Sequence, residues 1–152
     1  MKNPDGIILS ISGLKLTAEE KSFFKDVNPF GFVLFKRNFK NINQLKKLII
    51  ELKDITLNKK SLIFVDQEGG RVQRFNNEEF TKFPSQNIFG IIFKKNIDKA
   101  KRLSYLTSYY IGWEIKRLGG DVNFSPVCDL IFNDAHKIIS DRSFSNNAET
   151  AN

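Results

Sequence analysis

Unbroken apolar runs too short to be helices recur along this chain, and between them apolar residues return at helical spacing. Residues 6–12 (GIILSIS) read as a short buried strand. Thr17 and Glu20 then have the spacing of a capping box ahead of Phe23, Phe24 and Val27, which predicts a helix. Pro29 stops that helix, and Gly31 opens GFVLF, a second apolar strand. Asn41 is placed to cap a helix whose Ile42, Leu45, Leu48, Ile49 and Leu52 share one face. Lys59 and Lys60 precede a third apolar strand, LIFV, at 62–65. A long loop containing Pro84 then leads to a helix through Leu103, Leu106, Tyr110 and Trp113, which Gly119 and Gly120 end. VNFSPV, at 122–127, reads as a fourth strand.

Strands that are apolar throughout are buried on both faces, and helices between them are what a parallel sheet with right-handed crossovers requires. The class is α/β. A doubly wound sheet and a (β/α)₈ barrel both accommodate four βα units, and the polar stretches after the third and fourth strands lie where either fold builds a site. A complete barrel takes roughly 250 residues, so a chain of 152 makes about half of one, an incomplete barrel of about four βα units. The last residues, NAETAN at 147–152, look like the first turn of a further helix. One domain over 1–152 is the expectation.

The apolar runs fall far short of the roughly 20 residues of a membrane-spanning helix, and MKNPDGIILSIS offers no small-residue cleavage site for a secretory signal. With a single Cys128 and no signal, a reducing cytoplasm is expected. The net charge of +7 raises nucleic-acid binding as a function, but the lysines are interleaved with Glu and Asp instead of forming one stripe. The abundance of Lys, Asn, Ile and Phe also matches a gene biased toward A and T codons. Neither a nucleic-acid nor a membrane partner is expected. One His and one Cys provide no metal-ligand cluster, so no metal or other cofactor is expected.

The chemistry gathers after the third strand, in VDQEGGRVQRF at 65–75. Asp66 stands at a strand's carboxyl end, and Glu68 lies two residues on. In extended backbone that puts about 6.5–7 Å between Cα atoms, close to the carboxylate spacing of an inverting glycosidase. An acid/base pair is one reading; the other has Glu68 turned away to hold the loop through an arginine or the Gly69 and Gly70 amides. Those glycines permit a sharp turn beneath a ligand, or a plain tight turn. They fit neither a phosphate loop nor a dinucleotide fingerprint, since no G-K-[ST] follows and the third glycine is missing. Arg71 and Arg74 can share a face and offer forked donors to carboxylates or vicinal hydroxyls, or they are simply surface residues. Asp129, Asp141 and Arg142 follow the fourth strand. His136 reads as a solvated loop residue and Cys128 as a small core residue at a strand end.

Taken in order, GFVLFKRN, VDQEGGRVQRF, FPS, NFSPVCDL and the DRSF of IISDRSF resemble glycoside hydrolase family 3, and within it the bacterial β-N-acetylhexosaminidases of peptidoglycan recycling. The resemblance spans nearly the whole chain. It implies a (β/α)₈ barrel, a retaining mechanism and no cofactor, with terminal β-linked N-acetylglucosamine of muropeptides as the substrate. By the same resemblance Asp66, Arg74 and Arg142 bind the sugar, while Glu68 and Arg71 support them, so the acid/base reading of Asp66 with Glu68 gives way to binding. Two departures stand out. The family usually has glycine before D-R-S-F, where this chain has Ser140, a strained choice if the position needs positive φ. The K-H-F-P-G-H-G segment does not occur in these residues, and by the resemblance the acid/base loop and the aspartate nucleophile lie beyond them as well. No catalytic residue is therefore expected within 1–152. A β-glucosidase or β-xylosidase of the same family, and a non-catalytic carbohydrate-binding half-barrel, are the alternatives.

Overall fold

A computed structural model of the chain describes residues 4–57, 61–132 and 136–151. Strand β1 (Asp5–Ser10) leads to helix α1 (Ala18–Val27), β2 (Pro29–Leu34), α2 (Ile42–Ile55) and β3 (Leu62–Val65). A small hairpin, β4 (Gln67–Gly69) with β5 (Val72–Gln73), precedes α3 (Asn87–Phe93), α4 (Ile97–Leu118), β6 (Val122–Asn123) and α5 (Ala148–Ala151). The main sheet is parallel throughout, in the order β1-β2-β3-β6.

The caps are the ones the sequence calls for. Thr17 and Glu20 form the reciprocal capping box, and Asn41 accepts from the Gln44 amide. α1 ends at Asn28, a left-handed cap with φ +50°, so Pro29 begins β2. Phe32 pairs with Ile63 and Leu34 with Val65, and all four side chains are buried on the helix-covered face of the sheet. Leu45, Leu48, Ile49 and Leu52 of α2 and Ile111, Ile115 and Leu118 of α4 complete that core.

Three expectations change. β1 is not buried on both faces: it is an edge strand, and Ile7 and Ile8 are exposed. On the other side of the sheet, Phe64 lies between the rings of Phe30 and Phe124, whose relative exposures are 42 % and 44 %. Among the described residues nothing covers that face. The fourth strand spans only Val122–Asn123, since beyond it the Asn123 side chain takes up the pairing with Gln67, and Cys128 lies exposed outside the sheet instead of in the core. In α4 the buried line runs through Ala100, Ile111, Glu114, Ile115 and Leu118, leaving Leu106, Tyr110 and Trp113 exposed. The expected lysines at 59 and 60 and the final Asn152 lie outside the described residues.

Candidate carbohydrate site at the strand carboxyl ends

Asn38 joins the ends of β1 and β2. Fully buried, it accepts from the Phe35 amide at 2.9 Å and donates to the carbonyls of Ile11 at 3.1 Å and Gly13 at 2.8 Å. Arg37 donates to the same Ile11 carbonyl at 3.0 Å and lies over the Phe35 ring, with the Arg74 guanidinium 5.8 Å from that ring. The next junction is built by Gln67. Its backbone N–H donates to Asn123 Oδ1 at 2.9 Å and its carbonyl accepts from Asn123 Nδ2 at 3.0 Å, extending the β3–β6 pairing beyond the strands.

Two buried glutamines then hold the loop that carries the charges. Gln67 exchanges both side-chain bonds with the Phe75 backbone, at 3.0 and 3.1 Å. Gln73 donates to the carbonyls of Phe75 and Thr81 and accepts from the Phe83 amide. Buried amides of this kind satisfy loop backbone that has no ladder of its own. Gly69 and Gly70 turn the chain at φ +94° and +56°, and a Cβ on Gly69 would sit 2.3 Å from the Pro84 carbonyl oxygen. The close approach is therefore made by the protein's own 83–85 segment and not by a ligand.

On this support, Arg74 Nη2 donates to Asp66 Oδ2 at 2.8 Å. Arg74 Nε is buried with no partner among the described residues. Arg142, 74 positions from Glu68, forms a fork with it: Nε to Oε2 at 2.9 Å and Nη2 to Oε1 at 2.8 Å. Glu68 is buried, its side chain 4 % exposed. Donating to the Glu68 carboxylate raises the Arg142 pKa above the ordinary guanidinium value despite partial burial, and the Asp66 and Asp129 carboxylates add to the attraction. Arg71 pairs with Asp141 at 2.7 Å and donates to the carbonyls of Lys137, Ile138 and Ile139. The expected residues Asp66, Arg74 and Arg142 thus enter one charge cluster, with Glu68 and Arg71 holding the segment that carries Arg142.

Glu68 cannot serve as half of an acid/base pair in this arrangement, since both its oxygens are occupied by Arg142. His136 is exposed and accepts from the Ile138 amide. Phe35, Arg37, Asn38, Gln67, Gln73 and Asn123 are the members that sequence reasoning passed over. Gln67 and Gln73 face one another across the β4–β5 hairpin, a pairing that the fold reveals and the sequence does not.

A parallel half-barrel with a carboxylate–arginine cluster at its strand ends defines a class, and the family comparison agrees. The Glycosyl hydrolase family 3 N terminal domain matches residues 5–152, so the chain belongs to that family. It is 40 % identical over 147 residues to a protein named Beta-hexosaminidase from Neisseria meningitidis serogroup A, covering 94 % of this chain and 39 % of that relative. A crystal structure of NagZ from Neisseria gonorrhoeae in complex with N-trifluoroacetyl-D-glucosamine superposes with a TM-score of 0.90 at 38 % identity, covering 97 % of this chain and 42 % of the other. A family 3 β-N-acetylglucosaminidase from Paenibacillus sp. str. FPU-7 gives a TM-score of 0.83 at 28 % identity, over 95 % of this chain and 27 % of that one. The expected α/β class holds, and the chain spans only part of the barrel-like domain of these relatives.

Proposed function

We propose that residues 1–152 are the sugar-gripping part of a retaining family 3 β-N-acetylhexosaminidase, acting in the cytoplasm on terminal β-linked N-acetylglucosamine of peptidoglycan fragments. The observation that carries this reading is the Asp66–Arg74 pair with spare capacity on both partners. Asp66 Oδ1 and Arg74 Nη1 form no hydrogen bond among the described residues, and the two side chains are partly exposed, so the pair can accept hydroxyl protons and donate to ring substituents together. Arg142, oriented by Glu68 and drawn electrostatically by Asp66, adds a second donor group to the cluster. The names of the similar proteins, and the glucosamine derivative in one of their structures, support N-acetylglucosamine over glucose or xylose.

Retaining hydrolysis requires a nucleophile and a proton donor about 5–5.5 Å apart across one bond. Asp66 and Glu68 are both engaged with arginines, so Asp66 binds the sugar, Glu68 orients Arg142, and the cleaving groups come from outside 1–152. The test is calorimetric titration with N-acetylglucosamine and with glucose, alongside incubation with a chromogenic β-N-acetylglucosaminide. The expected result is preferential binding of N-acetylglucosamine with no chromophore release above a no-protein control. Preference for glucose would favour the β-glucosidase reading, and turnover would restore Asp66 and Glu68 as a catalytic pair.

A further inference from the structure

All three tyrosines and the single tryptophan of the chain lie between positions 105 and 113, on α4, and all four are exposed. The core is built from phenylalanines instead, Phe24, Phe32 and Phe75 among them. Ile111 and Ile115 mark the inward side of α4, and Tyr109 and Trp113 precede them by two residues, about 200° around the helix. These rings therefore point directly away from the core. Tyr105 and Leu106 extend the stripe, with exposures of 69 % and 37 %.

Charge follows the same face. Arg102, Lys116 and Arg117 are exposed along the stripe, with Lys99 and Lys101 nearby, and the Arg117 guanidinium lies 5.0 Å from the Trp113 ring. Of the two acids on α4, Glu114 is buried, where it accepts from the Thr81 amide and hydroxyl. Asp98 alone remains at the surface. Tyr and Trp have an apolar body and a polar tip, the combination that settles at a membrane's headgroup layer, and flanking cations add attraction to anionic lipid. Tyr105 and Tyr109 lie at 22° to one another but Tyr110 stands at 84° to Tyr109, so the rings together do not make one flat platform for stacking on sugars.

We propose that the outer face of α4 docks the protein peripherally on an anionic phospholipid surface. Tyr105, Tyr109 and Trp113 enter the headgroup layer, and Arg102, Lys116 and Arg117 meet lipid phosphates. This replaces the expectation of no membrane partner, which rested on spanning segments. Among the described residues no helix is long and apolar enough to cross a bilayer, and surface docking needs none. The face lies on the side of α4 opposite the sheet, so docking leaves the Asp66 cluster open, and the inference is independent of the sugar specificity.

The test is flotation of the 152-residue chain with vesicles of phosphatidylglycerol and phosphatidylcholine, against phosphatidylcholine alone, at low and high salt. As the only tryptophan, Trp113 reports insertion by its emission. Expected are binding to the anionic vesicles alone, loss of binding at high salt, and a shift of emission to shorter wavelength. Arg102→Glu with Lys116→Glu should weaken binding at least about tenfold, and Tyr105→Ser with Tyr109→Ser should remove the emission shift. Phe23→Ser, at an exposed phenylalanine on α1, should bind like the parent chain. Equal binding to both vesicle types, an unmoved Trp113 emission, or undiminished binding by the charge-reversed variant would overturn the proposal. So would an emission shift on concentrating the chain without vesicles that the tyrosine variant abolishes, since that marks self-association through the stripe. The lipid and salt dependence of the parent chain decides the matter without any variant, so a variant that fails to fold does not protect the proposal.

Discussion

Ser140 occupies the left-handed region at φ +39°, immediately before the Asp141 and Arg142 that bind Arg71 and Glu68. A side chain there costs about 1–2 kcal/mol, whereas glycine would give back roughly 0.4–1 kcal/mol through the greater freedom of the unfolded chain. Ser140→Gly is therefore expected to stabilise the protein by up to about 1 kcal/mol, read as a higher denaturant midpoint with an unchanged slope. A lower midpoint would show that the serine side chain contributes more than its backbone costs. The strain was legible because the resemblance supplied a glycine at this position. The candidates Asp66, Arg74 and Arg142 came from the same motif match, and the fold adds that they enter one charge cluster. Gln67 and Gln73 were not: a glutamine in a sequence reads as a surface residue, and only the fold shows that its amide replaces missing ladder bonds.

At the scale of elements, α1 and α2, whose side-chain caps stand directly before their apolar stripes, were read correctly, and β3 was read to the residue. α3 has no side-chain cap and the β4–β5 hairpin is only a few residues long, so neither offers a periodic pattern of useful length. α4 was found, but its inward face was misread, because its aromatic residues carry the apolar periodicity while Glu114 lies in the buried line. The hairpin is where a single change should harm both stability and the site. Gly69→Ala would demand positive φ of an alanine and drive its Cβ against the Pro84 carbonyl, and the backbone shift that relieves it would displace the loop bearing Glu68. We expect a loss of at least about 2 kcal/mol in stability, measured by urea unfolding, together with weaker N-acetylglucosamine binding. A change within about 0.5 kcal/mol would mean that the 83–85 segment yields easily.

At the scale of the whole molecule, the four-stranded parallel sheet has two open edges, β1 and β6, and an uncovered face carrying Phe30 and Phe124. The 152-residue chain by itself is expected to self-associate, eluting ahead of a monomer on sizing chromatography, and Phe30→Ser with Phe124→Ser should reduce the effect. A sharp monomeric peak from the parent chain would show that this surface is tolerated in water. The class of fold was legible because apolar runs and helical stretches alternate, but the exposure of β1 was not, since a run of isoleucines reads the same whether or not another layer covers it. The central claim is that Asp66, Arg74 and Arg142 grip one sugar, and the arginine Nε–H signals in a ¹H–¹⁵N spectrum test it most directly during titration with N-acetylglucosamine. The Arg74 and Arg142 signals should move together with a single dissociation constant. Asp66→Ala should weaken that constant by several-fold to about a hundredfold, following the ~1.5–3 kcal/mol of a charged hydrogen bond. Signals of Arg74 and Arg142 that stay fixed at high sugar concentration, or that move with different dissociation constants, would contradict the account.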